Sequence, residues 1–281
     1  MKLYAHSITL FLSGLIFSAT GFAKDITGPY FGQTPPGETP EVFAPDIVSK
    51  EHRDWTGRFT PDMTEYYFTR NNREARTSTQ LMFKLIDGKW HEKELPAGVG
   101  GAVSADGMKM YSGRTYRDRI GDQWSEPKSI GKAFQSIPIM VISVSDKGMY
   151  VFDEREVKGT IRYSRLIDGK REAPKAFGKQ INSGKWTAHP FVAPDESYII
   201  WDSERAGGYG KTDLYVSFQL ENGIWSDAIN LGEKINTPGP DTGAVVSPDG
   251  KYLFFNRKFS EDDSDIMWVD AKVIDDLRPK R

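Results

Sequence analysis

Five arginines recur at one place in an internal period of this chain: Arg70, Arg114, Arg155, Arg205 and Arg257. Each stands where a short apolar and aromatic run ends. Four of them lie seven residues beyond the fourth position of a Pro-Asp-type turn, and Arg205 lies nine beyond. Planar guanidinium groups with several donors hold carboxylates and acidic sugars, so a ring of them on one face would be an anion site. The same periodicity would also let each arginine pair with an acid of its own or the next repeat, such as Asp213 or Asp265, and stitch the ring together. Repetition in every repeat favours stitching. His189 and Tyr209, close to the arginines in the repeat alignment, are the further candidates for ligand contact, with Arg205, Arg257, Arg70 and Arg114.

Other groups with chemical potential carry less. The histidines His189, His52 and His91 fall in different contexts, and no two stand at metal-ligand spacing. Glu261, Asp262, Asp263 and Asp265 offer hard oxygen ligands but lack the spacing and turn glycine of a calcium loop. The stretch Gly207–Thr212 ends in Gly-Lys-Thr, yet the first glycine of a phosphate loop is Arg205 here and the segment joins two strands. There is no Gly-x-Ser-x-Gly elbow, no His-Glu-x-x-His pair and no sialidase Asp-box. Asp54, Glu154, Glu204 and Asp241 stand near repeat entries or second-strand ends, where a glycosidase-type pair could assemble across repeats; nothing in the sequence selects two of them. No catalytic residue, metal site or cofactor is therefore assigned.

The elements that must position these residues are repeated units. Ser247-Pro248-Asp249-Gly250 reads as a tight turn feeding the strand Lys251–Arg257. Related turns occur at Thr60–Met63, Ser104–Gly107, Ser145–Gly148 and Ala193–Glu196, and their fourth positions are spaced by 44, 41, 48 and 54 residues. Each unit then offers a third strand, a two-residue hairpin signal and a fourth strand. The hairpins are Asp87-Gly88, Gly121-Asp122, Asp168-Gly169 and Asn222-Gly223. Expected fourth strands are Trp90–Leu95, Trp124–Ile130, Arg171–Phe177 and Trp225–Leu231; Pro127 and Pro174 suit an outer edge. Self-similarity at about 40–50 residues with several short strands per period is the signature of a propeller.

The last repeat lacks a fourth strand and ends in a helical turn at 270–277. Glu41–Val48 reads as a strand without a neighbour, and 24–40 as an irregular lead-in. The economical arrangement has the N-terminal strand complete the last blade, since an open ring would leave bare sheet edges. The expectation is an all-β, five-bladed β-propeller closed in this way, a six-bladed ring being the alternative. Gly178–Asn182 and Gly232–Asn236 align without gaps ahead of their turns, which points to duplication.

Composition agrees with this. Hydrophobic residues are 38% and aromatics 12%, as cores built from Trp, Tyr and Phe on short strands would give. The net charge of −2 offers no basis for nucleic acid as partner. With no cysteine, disulfides, thiolate metal sites and a lipidated cysteine are excluded. Lys2, the apolar run Ile8–Phe17 and the small residues Gly21 and Ala23 read as a signal peptide over 1–23, cut before Lys24 and too short for a membrane span. The domain division is then 1–23 signal peptide, 24–54 lead-in and closing strand, and 55–281 propeller repeats, with a periplasmic or secreted destination.

The Ser-Pro-Asp-Gly-Lys turn, the third strand Asp213-Leu214-Tyr215-Val216 and the stretch Ser203–Tyr215 resemble the Pro-Asp variety of WD-like β-propeller repeats found in TolB-like periplasmic proteins. The resemblance spans roughly residues 55–270. It implies the fold and says little about activity, because such repeats serve binding proteins, scaffolds and enzymes. The expected function is an exported, non-catalytic propeller binding a protein, peptide or glycan on one face. The alternative is a carbohydrate-active enzyme, hydrolase or lyase, with its site at the central channel.

Overall fold

The computed structural model describes residues 25–156, 158–221 and 223–280, without the side chain of Thr56; the expected signal peptide at 1–23 lies outside the described residues. Regular structure is almost entirely antiparallel strand. A short strand, β1 (Glu41–Val42), precedes the repeats. The first repeat contains β2 (Arg53–Phe59), β3 (Glu65–Asn72), β4 (Thr77–Ile86) and β5 (Lys89–Leu95). The second contains β6 (Ala102–Val103), β7 (Lys109–Ser112), β8 (Thr115–Ile120), β9 (Gln123–Trp124) and β10 (Lys128–Ser129). In the third, β11 (Ile139–Val144), β12 (Tyr150–Glu154) and β13 (Ile161–Ser164) are followed by a hairpin of β14 (Leu166–Ile167) and β15 (Lys170–Arg171), then β16 (Lys175–Ala176). The fourth is β17 (Trp186–Val192), β18 (Tyr198–Glu204), β19 (Asp213–Phe218) and β20 (Ile229–Asn230). The fifth has β21 (Asp241–Val246), β22 (Tyr252–Lys258) and β23 (Ser264–Asp270), then the helical turn α1 (Lys272–Asp275).

Each repeat is a meander whose first strand faces inward. The last residues of the five first strands, Phe59, Val103, Val144, Val192 and Val246, line one cavity of about 240 Å³. The molecule is a β-propeller, with these strands around its central channel. β1 supplies the fourth strand of the fifth repeat, Glu41 opposite Trp268 and Val42 opposite Met267. That pairing spans two residues, shorter than the strand read over Glu41–Val48, because the chain turns at Ala44 and Asp46, both at positive φ. The first repeat has its expected fourth strand in full, whereas those of the second and third repeats are likewise shorter than expected. They break at Pro127 and Pro174, where a residue without an amide proton cannot continue the ladder.

The turns repeat in chemical detail. The Ser247 hydroxyl donates to Asp249 (2.7 Å) and accepts the Tyr252 amide, and Ser104 and Thr60 do the same with Asp106 and Asp62. The fourth turn position is left-handed in every repeat: Met63, Gly107, Gly148, Glu196 and Gly250 have φ between 59° and 82°. Three glycines take that conformation without penalty, while Met63 and Glu196 carry the steric cost of a Cβ there. The aligned pentapeptides are equivalent at the atomic level too. Asn182 caps the third strand of the third repeat through Ile161, and Asn236 caps that of the fourth through Leu214.

The lead-in does more than connect. Residues Pro29–Gly32 form a tight turn that drives two aromatic rings inward, Tyr30 and Phe31, both nearly inaccessible. Phe31 packs against Phe43, Tyr66, Phe83 and Trp90. Tyr30 packs on Tyr252 and Trp268 and donates its hydroxyl to Asp249 (2.8 Å). One aromatic cluster therefore spans the first and last repeats at the seam where the ring closes. Phe31→Ala is expected to cost about 3–5 kcal/mol in urea unfolding, and removal of residues 24–50 to cost more, because it opens the ring. Unchanged unfolding midpoints would contradict closure by this segment.

Candidate functional site

The sequence-derived arginines do not converge on an open ligand site. Arg70 and Arg257 make equivalent buried ion pairs within their own repeats. Arg70 Nε donates to Asp54 (2.9 Å) and Arg257 Nε to Asp241 (2.8 Å), and both carboxylates are fully inaccessible. A second guanidinium nitrogen reaches a backbone carbonyl in each case, Val48 and Ile235, both at 2.6 Å. Arg205 reaches the matching carbonyl of Ile181 at 2.6 Å and stacks on Trp201 and Tyr215, so its two extra residues arrive at the same place without a carboxylate. Arg114 is exposed and donates to the Gln135 carbonyl. The partners are therefore first-strand aspartates, not the expected Asp213 and Asp265. Asp213 instead accepts the Tyr209 and Gly210 amides and the Asn230 side chain, holding the glycine loop against β19. Asp265 has its carboxyl pushed up to about 6 by burial and by the nearby Asp263 and Asp54. Tyr209 has its ring exposed on that loop.

The four carboxylates that could have formed a hydrolytic pair are each matched to a cation. Asp54 and Asp241 hold arginines as above, Glu154 pairs with Arg162, and Glu204 pairs with Lys185. Burial raises the carboxyls of Asp54 and Asp241, while their arginines pull them back down. Among the described residues no cluster of three His, Asp or Glu side chains is placed to hold a metal ion.

His189 does reach the interior. In four of the first strands a bulge interrupts the pairing, between Trp55 and Arg58, Ile139 and Ile142, Ala188 and Phe191, and Thr242 and Val245. His189 sits in the bulge of β17 with φ 49°. Its Nδ1 donates to Asp202 (2.5 Å), and its backbone amide donates to Asp153 (2.8 Å). Asp202 also accepts the Gly243 amide (3.1 Å), whereas its other oxygen is buried without a partner. Burial alone would depress the His189 pKa. The Asp202 charge and hydrogen bond, with Asp153 behind, outweigh that and bring it to about 9, against a smaller opposing effect from Arg58. The ring is an imidazolium at neutral pH.

Arg58 is the residue that the repeat reading passed over. It lies on β2 and lines both the 240 Å³ cavity on the turn side and a second one of about 370 Å³ beside the second repeat. Its guanidinium makes no hydrogen bond or ion pair with any described residue, and burial lowers its pKa to about 10. The matching positions in the other first strands are Ala102, Ser143, Phe191 and Val245. The repeat therefore does not call for a charge here. That departure from the repeat pattern is the signal by which sequence alone could have singled Arg58 out.

Two measurements test these roles. Arg257→Ala and Arg70→Ala each strand a buried aspartate and should cost roughly 3–5 kcal/mol, while Arg114→Ala should stay within about 0.5 kcal/mol of the parent; equal losses at all three sites would refute the assignment. For His189 the folded pKa of about 9 exceeds the ordinary value of 6.5. Its stabilising contribution is complete below about pH 6.5 and is lost as pH rises through about 9. The melting-temperature advantage of the parent over His189→Gln should therefore shrink between those limits.

No family model matches this chain, and no curated protein matches it. Among solved structures, TolB from Acinetobacter baumannii aligns at 12% identity and a TM-score of 0.47, covering 79% of this chain and 53% of TolB, so the chain spans about half the length of that protein. A gluconolactonase from Xanthomonas campestris aligns at 11% identity and a TM-score of 0.47, covering 84% and 97%. Puromycin hydrolase aligns at 16% identity and a TM-score of 0.37, covering 79% and 38%. At these scores the likenesses carry no argument about activity, and the propeller description stands on the strand pairing of the chain itself.

Proposed function

We propose that this protein is an exported, non-catalytic β-propeller that binds a peptide, protein or glycan ligand in its central channel, on the side away from the Pro-Asp turns. The observation that carries this reading is the contrast between acids and Arg58. Each of the four carboxylates singled out for hydrolysis is already held by a cation, and Asp153 accepts two backbone amides, from Val141 and His189. The channel cation has no counter-charge. A site that offers an unpaired donor and no free acid–base pair supports recognition over turnover. Export rests on the residue pattern of 1–23, and no helix among the described residues is long and apolar enough to cross a membrane.

The test uses two tryptophan substitutions at exposed cavity-lining positions. Ser112→Trp fills the cavity beside the second repeat, and Ala105→Trp fills the turn-side mouth. On arrays of glycans and peptides, Ser112→Trp should lose the ligands retained by the parent and Ala105→Trp should keep them, with every ligand recovered at unchanged mass. Recovery of cleaved ligand, or retention by Ser112→Trp, would overturn the reading.

A further inference from the structure

Resting on the binding reading above, we infer that the cavity beside the second repeat is an anion site for a hydroxylated carboxylate of monosaccharide size, a sugar acid, held between Arg58 and Arg155.

The cavity exists because the second repeat lacks side chains where the others have them. The second-strand position that carries Asp153, Asp202 and Asn256 in the last three repeats is Gly113 here. In those three, the side chain reaches the neighbouring first strand: Asp153 to the His189 amide, Asp202 to the Gly243 amide and Asn256 to the Asp54 carbonyl. Gly113 has nothing to extend. The first strand β6 is only two residues long and is entered through Gly100 and Gly101. Gly101 cannot be replaced, since a Cβ there would lie 2.0 Å from the Tyr111 carbonyl oxygen. The wall of the channel is therefore thin at this one repeat, and the resulting space of about 370 Å³ is in the size range of small-molecule sites.

The charge in that space has one sign. Arg58 and Arg155 both line it, and no Asp or Glu does. Neither guanidinium is bonded to a described residue. Two unneutralised cations across a cavity with protein walls focus a positive potential on its interior, and guanidinium groups bind carboxylates with paired, charge-assisted hydrogen bonds. The remaining polar lining is neutral: Gln80, Thr69 and Ser112, with Tyr67 and Tyr111. Thr69 donates to Gln80 Oε1 (3.1 Å), which turns the Gln80 amide nitrogen away from that bond as a donor for a ligand oxygen. A carboxylate to meet two arginines, with hydroxyls to meet an amide and two alcohols, is the chemistry of a sugar acid.

Calorimetry on the mature chain with D-glucuronate, D-glucose and inorganic phosphate tests this, with Arg58→Met and the exposed Arg155→Gln as variants. Glucuronate should bind, glucose should bind roughly tenfold or more weakly, and glucuronate binding should weaken as salt is raised. Arg58→Met should abolish binding while melting no lower than the parent, because it removes an unpaired cation. Arg155→Gln should weaken binding without unfolding the chain. Equal affinity for glucose and glucuronate, or glucuronate binding unchanged in Arg155→Gln, would overturn the anion site and leave the channel-binding reading standing on its own arrays. Phosphate binding without glucuronate binding would overturn the sugar-acid assignment. Absence of binding by all three would overturn the inference outright.

Discussion

The ring depends on one repeated contact, made beside the bulges of the first strands. A bulge leaves backbone groups without ladder partners, and a buried amide without an acceptor is costly. The last three repeats solve this with a side chain from a second strand. Asp153 takes the His189 amide, Asp202 takes the Gly243 amide, and Asn256 reaches the Asp54 carbonyl across the closing seam. These hydrogen bonds tie the second strand of each of these three repeats to the first strand of the next around the ring. The two carboxylates gain amide donors that offset part of their desolvation, and the amides of the two bulges gain acceptors.

The first two repeats lack the contact, and the shape of the channel follows from that. Thr69 turns back to Gln80 in its own repeat, and Gly113 has no side chain. Between them lies the cavity that reaches Arg58. Several buried acids elsewhere are matched to cations: first-strand Asp54 and Asp241 to arginines, Glu65 to Arg119, and Asp202 to an imidazolium. A guanidinium drawn partly out of water without a counter-charge opposes stability. Departures from local consistency of this kind concentrate where a protein meets its ligand.

Closure is achieved by two devices of different character. The two-residue pairing of β1 with β23 supplies direction and register. The aromatic wedge of Tyr30 and Phe31 supplies burial, joining rings from the first and fifth repeats into one cluster. A pairing as short as β1 would be weak alone, and the wedge fixes the segment that carries it.

The period was legible in the sequence because the turn chemistry is local. A Ser or Thr two residues before an Asp closes its own hydrogen bonds, and the left-handed fourth position selects Gly in three repeats. Those features, the hairpin pairs and the stranded N-terminal segment determined the propeller class and the manner of closure. The inward burial of Tyr30 and Phe31 was not legible, because a Gly-Pro-rich stretch reads as irregular until the cavity it fills is known. The site was legible only in part. The spacing of the arginines was real, but spacing does not say what a guanidinium meets, and Arg70 and Arg257 meet aspartates of the adjacent strand. His189 could be placed near the channel from its position at a first-strand entry, whereas its imidazolium state required Asp202 from β18 and Asp153 from the neighbouring repeat. Arg58 breaks the repeat pattern in the sequence itself, but its lack of a partner and the gap at Gly113 were decided by tertiary structure alone. An unpaired charge and an unfilled space are properties of what surrounds a residue, and in a ring of repeats those surroundings come from strands far apart in the chain.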